Sequence, residues 1–145
     1  MKTLKIGKNL SEWSSYSCQP KTKEELEEII KDRIYNEGPK CDLNDIDTSL
    51  IEDMQMLFAY SKFNGNISKW NVSNVKDMIG MFAYSEFNKD ISSWNTSKVE
   101  DMYGCFTYSK FNQDISKWKI NRACNITDMF HRCQIKKEFK PKPAR

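Results

Sequence analysis

A single histidine, His131, leaves the chain no recurrent Ser-His-Asp or Cys-His arrangement on which to build nucleophilic catalysis. Five glycines are scattered, and Gly80 and Gly104 each stand alone, so no glycine-rich loop is available to cradle phosphate. No run of about 18 apolar residues occurs, which excludes a helix spanning a membrane. Met1 to Leu10 carry lysines but no apolar centre, so they do not read as a signal peptide. Five cysteines (Cys18, Cys41, Cys105, Cys124, Cys133) form an odd set at irregular spacing. Without an export signal they read as reduced thiols, which places the chain in a cytoplasm. The C-x6-H-x-C spacing of Cys124, His131 and Cys133 fits no common zinc pattern. Asn66, Asp90 and Asp114 supply too few carboxylates per repeat for calcium and read as bonding turn backbone. No metal, no cofactor and no enzyme activity are expected.

What is present is charge unevenly spread and a strong repeat. The 145 residues carry a net charge of +3, divided as +1 over 1–40, −4 over 41–118 and +6 over 119–145. The length suits one domain with a core of its own. Leu4-Lys5-Ile6 alternates like a short edge strand, with Trp13 and Tyr16 positioned to lie over the end of a core. Thr22 and Glu25 form the capping-box pattern, and Glu24, Glu25, Glu27 and Glu28 place negative charge at the favourable end of the helix dipole. Leu26, Ile29, Ile30 and Ile34 make one apolar stripe, and Gly38-Pro39 stops the helix. Residues 1–40 therefore read as a leader and a helix that caps whatever follows.

Tryptophans at 70, 94 and 118 are 24 residues apart, and Ile46 holds the same place one period earlier. Other columns keep this register: Leu43, Ile67, Ile91, Ile115; Thr48, Val72, Thr96, Ile120; Ile51, Val75, Val99, Ala123; Met54, Met78, Met102, Ile126; Phe58, Phe82, Phe106, Phe130; and Phe63, Phe87, Phe111, Ile135. Ile67-x-x-Trp70-x-Val72 reads as the strand half of a leucine-rich repeat, and Val75, Met78, Met81 and Phe82 follow helical spacing. The expected fold is an α/β solenoid over 41–139, a right-handed leucine-rich-repeat-like stack of four 24-residue coils. One face would be a parallel sheet and the other short helices or 3₁₀ turns, with Asp53, Asp77 and Asp101 capping them. A basic tail, 140–145, follows.

The run Phe87-Asn-Lys-Asp-Ile-Ser-Ser-Trp-Asn-Thr-Ser-Lys-Val-Glu-Asp-Met-Tyr-Gly-Cys-Phe106, nearly repeated from Phe63 to Phe82, resembles the BspA-like leucine-rich repeat of bacterial surface proteins. The resemblance covers roughly 41–135 and implies a repeat fold, a bacterial origin and binding rather than catalysis, while small size and the lack of an export signal leave a phage or other mobile-element origin open. It also implies an adhesin-type alternative, since such proteins are mostly exported and adhere to host proteins.

Residues between the inward columns are the candidate contacts. Asp47, Asn71, Asn95 and Lys119 vary from acidic to basic along one outward column, with Lys117 and Arg122 beside its last member. Tyr60, Tyr84 and Tyr108 form another column with Arg132 next in line, read either as structural stacking or as an exposed row suited to protein contacts. The function expected is a non-enzymatic protein-interaction module, acting through the strand face and tyrosine edge as an adaptor or a mobile-element-encoded inhibitor of a host protein. Nucleic-acid binding through the basic last coil and tail is the alternative. No membrane partner is expected. The uncovered last coil, with only Phe139 and the tail beyond it, leaves open an end-to-end homodimer.

Overall fold

The computed structural model describes residues 16–142. The expected edge strand at Leu4-Lys5-Ile6, Trp13 and the end of the tail at 143–145 lie outside the described residues.

Helix α1, Lys23–Glu37, starts where Thr22 adopts an extended conformation and its hydroxyl accepts the Glu25 N–H. The Glu25 carboxylate takes the Lys21 N–H at 3.1 Å, one residue earlier than in the reciprocal capping box. Gly38, at φ 92, ends the helix by donating its N–H to the Ile34 carbonyl. Leu26, Ile29 and Ile30 are buried and join the same core as the repeats, with Ile34 packed at its margin. Arg33 fastens the polar side of α1 to the first coil. Its guanidinium donates to both Asp45 oxygens at 3.0 Å and to the Asp42 carbonyl at 2.9 Å, while pairing with Glu37. The preceding residues also pair with this coil: Ser17 donates to the Asp45 carbonyl and Asp47 donates to Cys18.

From Cys41 onward, like residues stack at intervals of 24. Trp70, Trp94 and Trp118 lie parallel with centroids 6.5 and 6.2 Å apart. Phe58, Phe82, Phe106 and Phe130 follow at 5.6, 5.3 and 5.6 Å. Each tryptophan also answers for its polar atom. The indole N–H groups of Trp70, Trp94 and Trp118 donate to the carbonyls of Leu43, Ile67 and Ile91 in the coil before, at 2.9, 3.1 and 2.9 Å. Asparagines form a second inter-coil series: Asn64 Oδ1 accepts the Asn88 N–H, Asn88 Oδ1 the Asn112 N–H, and Asn112 Oδ1 the Lys136 N–H.

The secondary structure differs from the expected one. Among the described residues there is no β-strand, only isolated parallel bridges, and the sole α-helix is α1. The α/β solenoid with a parallel sheet on one face and short helices on the other, and with it the leucine-rich-repeat description, is therefore corrected. The reason lies in where the backbone N–H groups go. In the supposed strand, the Trp70 N–H turns back to the Ile67 carbonyl and the Val75 N–H to Val72, so neither reaches the next coil. The supposed helical half does the joining. Met54, Met56, Phe58 and Tyr60 donate to Asp77, Ile79, Met81 and Ala83 of the next coil, while Leu57, Ala59 and Ser61 close turns onto Met54, Met56 and Phe58. Positive φ at Met56, Gly80, Gly104 and Asp128, each the third residue of such a turn, rules out a helix there. Asp53, Asp77 and Asp101 accordingly cap no helix; each bonds the N–H two residues on. A 3₁₀ turn, Lys137–Phe139, is the other helical segment described.

The last coil slips by one residue only around 123–124, and Asn125 and Met129 are back in register, accepting the Met102 and Phe106 N–H groups. Ala123 is exposed and Cys124 is buried in its place, while Ile126 stays 37% exposed. One column holds an unsatisfied atom: Thr48 Oγ1 donates to the Asn71 carbonyl, but the buried Thr96 Oγ1 has no partner. Val72 fills the same position between them. Thr96→Val, which removes that lone hydroxyl at equal shape, is expected to raise stability by about 1 kcal/mol in urea unfolding; a loss would mean the hydroxyl is satisfied in solution.

Candidate functional site

The tyrosine column forms a continuous surface row. Tyr60 and Tyr84 stack at 4.7 Å and Tyr84 and Tyr108 at 4.9 Å, with interplanar angles of 5° and 7°. The row is 70%, 46% and 48% exposed from Tyr60 to Tyr108. Its next ring is His131, edge-on to Tyr108 at 5.5 Å, rather than Arg132. The backbone that presents these rings is unusual. Tyr60, Tyr84 and Tyr108 sit at φ 58, 56 and 54, a left-handed conformation that costs a bulky L-residue about 1–2 kcal/mol. Glycine occupies the other left-handed position in two of these coils, at Gly80 and Gly104, but not this one. The N–H groups of the three tyrosines are held by Ala83, Thr107 and His131 at 2.8, 2.9 and 2.8 Å.

Beside the row runs an open groove of about 650 Å³, bounded by Tyr60, Tyr84, Lys40, Lys62, Glu86 and Lys110. Lys110 and Glu86 pair across it at 3.1 Å. Lys62, Glu86 and Lys110 were missed in the sequence reading, although they recur at the 24-residue interval two positions after each tyrosine. Their alternating sign hid the column, because a search for like residues passes over it.

The other candidate column is engaged in turns. Asp47 Oδ1 accepts the Ser49 N–H and its other oxygen the Gln19 amide. Asn71 and Asn95 each bind the N–H and hydroxyl of the serine two residues on. Lys117, Lys119 and Arg122 are exposed, and none of them is in an ion pair among the described residues. They line none of the tyrosine groove. The sequence candidates thus separate into an aromatic row with its groove, a set of turn-forming side chains and a basic last coil.

Acidic residues also align from coil to coil. Asp77 forms isolated parallel backbone bridges with Asp53 and Asp101. Its carboxyl is pushed above the ordinary range by partial burial first, with the neighbouring Asp53 and Asp101 adding to it against the Ile79 N–H. No group of three or more His, Cys, Asp or Glu among the described residues is arranged to hold a metal. The proton is held more tightly in the folded chain, so Asp77 favours folding below the unfolded carboxylate pKa and loses that advantage as pH rises through its folded value. Asn125 occupies the same position in the last coil and keeps the turn, its Oδ1 accepting the Thr127 N–H at 3.0 Å. Asp77→Asn is accordingly expected to stabilise the chain at pH 7 by up to about 1 kcal/mol, with the gain vanishing near pH 4. Chemical unfolding at the two pH values checks this, and an equal effect at both would refute the charge explanation.

The five cysteines are free. Burial drives the Cys105 thiol far above its ordinary range and pushes Cys124 up to about 11, mainly by desolvation. Burial thus favours the protonated thiol over the thiolate at both positions.

A family model described as "Mycoplasma protein of unknown function, DUF285" matches residues 26–141. No curated protein and no solved structure matches the chain. Among the described residues no helix is long and apolar enough to cross a membrane.

Proposed function

The chain belongs to the DUF285 family, and from that premise we propose that it is a non-enzymatic protein-interaction module whose partner docks on the tyrosine row and its groove. The observation that carries this reading is the row itself: three stacked tyrosines that stay about half exposed or more. Structural stacking alone would be served by buried rings, as the phenylalanine columns are. Tyrosine brings large contact area at small entropic cost. Lys62, Glu86 and Lys110 beside the row supply charges of both signs for register. A cytoplasmic adaptor or inhibitor of a host protein is the role we infer, and free thiols without disulfides suit a reducing compartment.

Quantitative capture from a cell extract tests it, with the wild-type chain and Tyr84→Ala immobilised side by side. A retained protein whose affinity falls roughly thirty-fold with Tyr84→Ala, the scale of a binding hot spot, supports the reading. Equal capture by both, with both folded, removes it.

The uncompensated cations favour a second reading, nucleic-acid binding through Lys117, Lys119, Arg122, Arg132 and the tail. Titration of a mixed-sequence oligonucleotide at two salt concentrations tests it, since each neutralised phosphate contributes a log–log slope of about −0.7 to −0.9. Lys119→Glu would weaken such binding while leaving capture through Tyr84 intact.

A further inference from the structure

Each junction between coils is made by the same four backbone donors. Met54, Met56, Phe58 and Tyr60 reach the carbonyls of Asp77, Ile79, Met81 and Ala83; Met78, Gly80, Phe82 and Tyr84 reach Asp101, Tyr103, Cys105 and Thr107. Met102, Gly104, Phe106 and Tyr108 reach Asn125, Thr127, Met129 and His131. The corresponding donors of the last coil are the N–H groups of Ile126, Asp128, Phe130 and Arg132, and none of them has an acceptor among the described residues. The chain's own C-terminal segment covers the other half of this end. Phe139 gives its carbonyl to the Ile115 N–H at 3.0 Å, and Lys136 donates its N–H to Asn112. Beyond it, Lys140 lies 5.4 Å over the Phe130 ring. A cavity of about 290 Å³ opens beside the free donors, lined by the apolar Ile120, Ile126, Met129, Phe130 and Pro141 together with Asp128 and His131.

We propose that this edge is a main-chain docking site for an acidic segment of a different polypeptide, which places carbonyls at two-residue intervals on the N–H groups of Ile126, Asp128, Phe130 and Arg132. The backbone chemistry is set by the three junctions already made in the chain. An apolar side chain fits the cavity, and acidic character matches the exposed Arg132 and the Lys140 ammonium over the Phe130 ring, two cations against the single carboxylate of Asp128. A second copy is poorly matched. Its complementary carbonyl edge, on the first coil, lies under α1, where Lys23 Nζ already reaches the Gln55 carbonyl at 3.5 Å. Two last coils brought together would oppose donors to donors.

The test is residue-resolved amide exchange on the full chain, with an acidic synthetic peptide of sequence 98–111 carrying Lys98→Glu, Cys105→Ser and Lys110→Glu as probe. This segment holds the four carbonyls that the second coil's donors select, and a scrambled peptide of the same composition is the control. At about 1 mM peptide, the weak end of specific binding, exchange at residues 126, 128, 130 and 132 is expected to slow roughly tenfold with the ordered sequence only. Ile126→Pro, which deletes one donor, is expected to weaken the footprint, and Ile126→Ala, which keeps it, is not. If the proline variant loses its folded spectrum, the footprint on the wild-type chain decides. Unchanged exchange at the four positions, equal protection by the scrambled peptide, or protection that grows with protein concentration alone would each overturn the proposal. Tyr84→Ala leaves the footprint unaltered, which separates this edge from the tyrosine groove.

Discussion

Phe82→Ala is expected to lower the free energy of unfolding by about 3–5 kcal/mol, a large part of what a domain of this size has. Phe82 is fully buried and is the ring through which three kinds of column meet. It stacks on Phe58 at 5.6 Å and Phe106 at 5.3 Å along its own column, on Phe87 at 4.6 Å across the coil, and tilts against Trp94 at 6.2 Å. Truncation removes the transfer energy of a phenyl ring and leaves a cavity bounded by other rings. Those neighbours are poorly able to close it, since each is fixed by its own stack and Trp94 also by its bond to the Ile67 carbonyl. Phe130, in the same column but at the open end, is only partly buried. Phe130→Ala therefore serves as a matched comparison and is expected to cost about half as much. Urea unfolding of the two variants distinguishes position from residue type; equal losses below about 1.5 kcal/mol would show that the stack relaxes freely.

The columns were legible because a repeating core demands like side chains at like places, and burial of Trp70, Trp94 and Trp118 leaves no freedom in that register. The local conformation was not legible. Val75, Met78, Met81 and Phe82 are spaced as on a helix, yet a run of turns each starting two residues after the last buries the same positions. Only the sign of φ separates the two, and its sequence marker is inconsistent. Gly80 and Gly104 carry positive φ, but Met56 and Asp128 carry it in the neighbouring coils, and three tyrosines and Arg132 carry it four residues on. The strand reading failed for a related reason: Asn71 and Asn95, taken as outward contacts, bend the chain by binding Ser73 and Ser97. Of the candidate site, the tyrosines were visible as a column, but the direction of their rings into one row was a matter of backbone geometry. The asparagines at 64, 88 and 112 recur as plainly as the tryptophans, and their inter-coil bonds went unread because a polar column has no burial requirement to announce it.

Gly65→Ala is expected to destabilise the chain by about 3 kcal/mol, although it adds one methyl group at a position without a special backbone angle. Gly65 lacks the positive φ that Gly38, Gly80 and Gly104 have, so conformational freedom is not what the residue supplies. Space is. A Cβ here would lie 1.9 Å from the Cys41 carbonyl oxygen and 2.8 Å from Phe63 Cε1. Neither can retreat. The segment around Cys41 is tied down by the Asn64 N–H on the Pro39 carbonyl at 2.7 Å, by the Leu43 N–H on Asn66 at 3.0 Å and by Arg33 on Asp42 at 2.9 Å. Phe63 is fully buried and stacked on Phe58 at 4.7 Å. The later coils carry Lys89 and Gln113 at this position, where the link from α1 does not pass, and so the glycine is required by that crossing rather than by the repeat. The strain should therefore appear first at the junction of α1 with the first coil. Thermal melting should fall by several degrees per kcal/mol lost. Amide exchange should quicken in residues 26–46 before it does so in 90–110, and a uniform acceleration along the chain would refute this local origin.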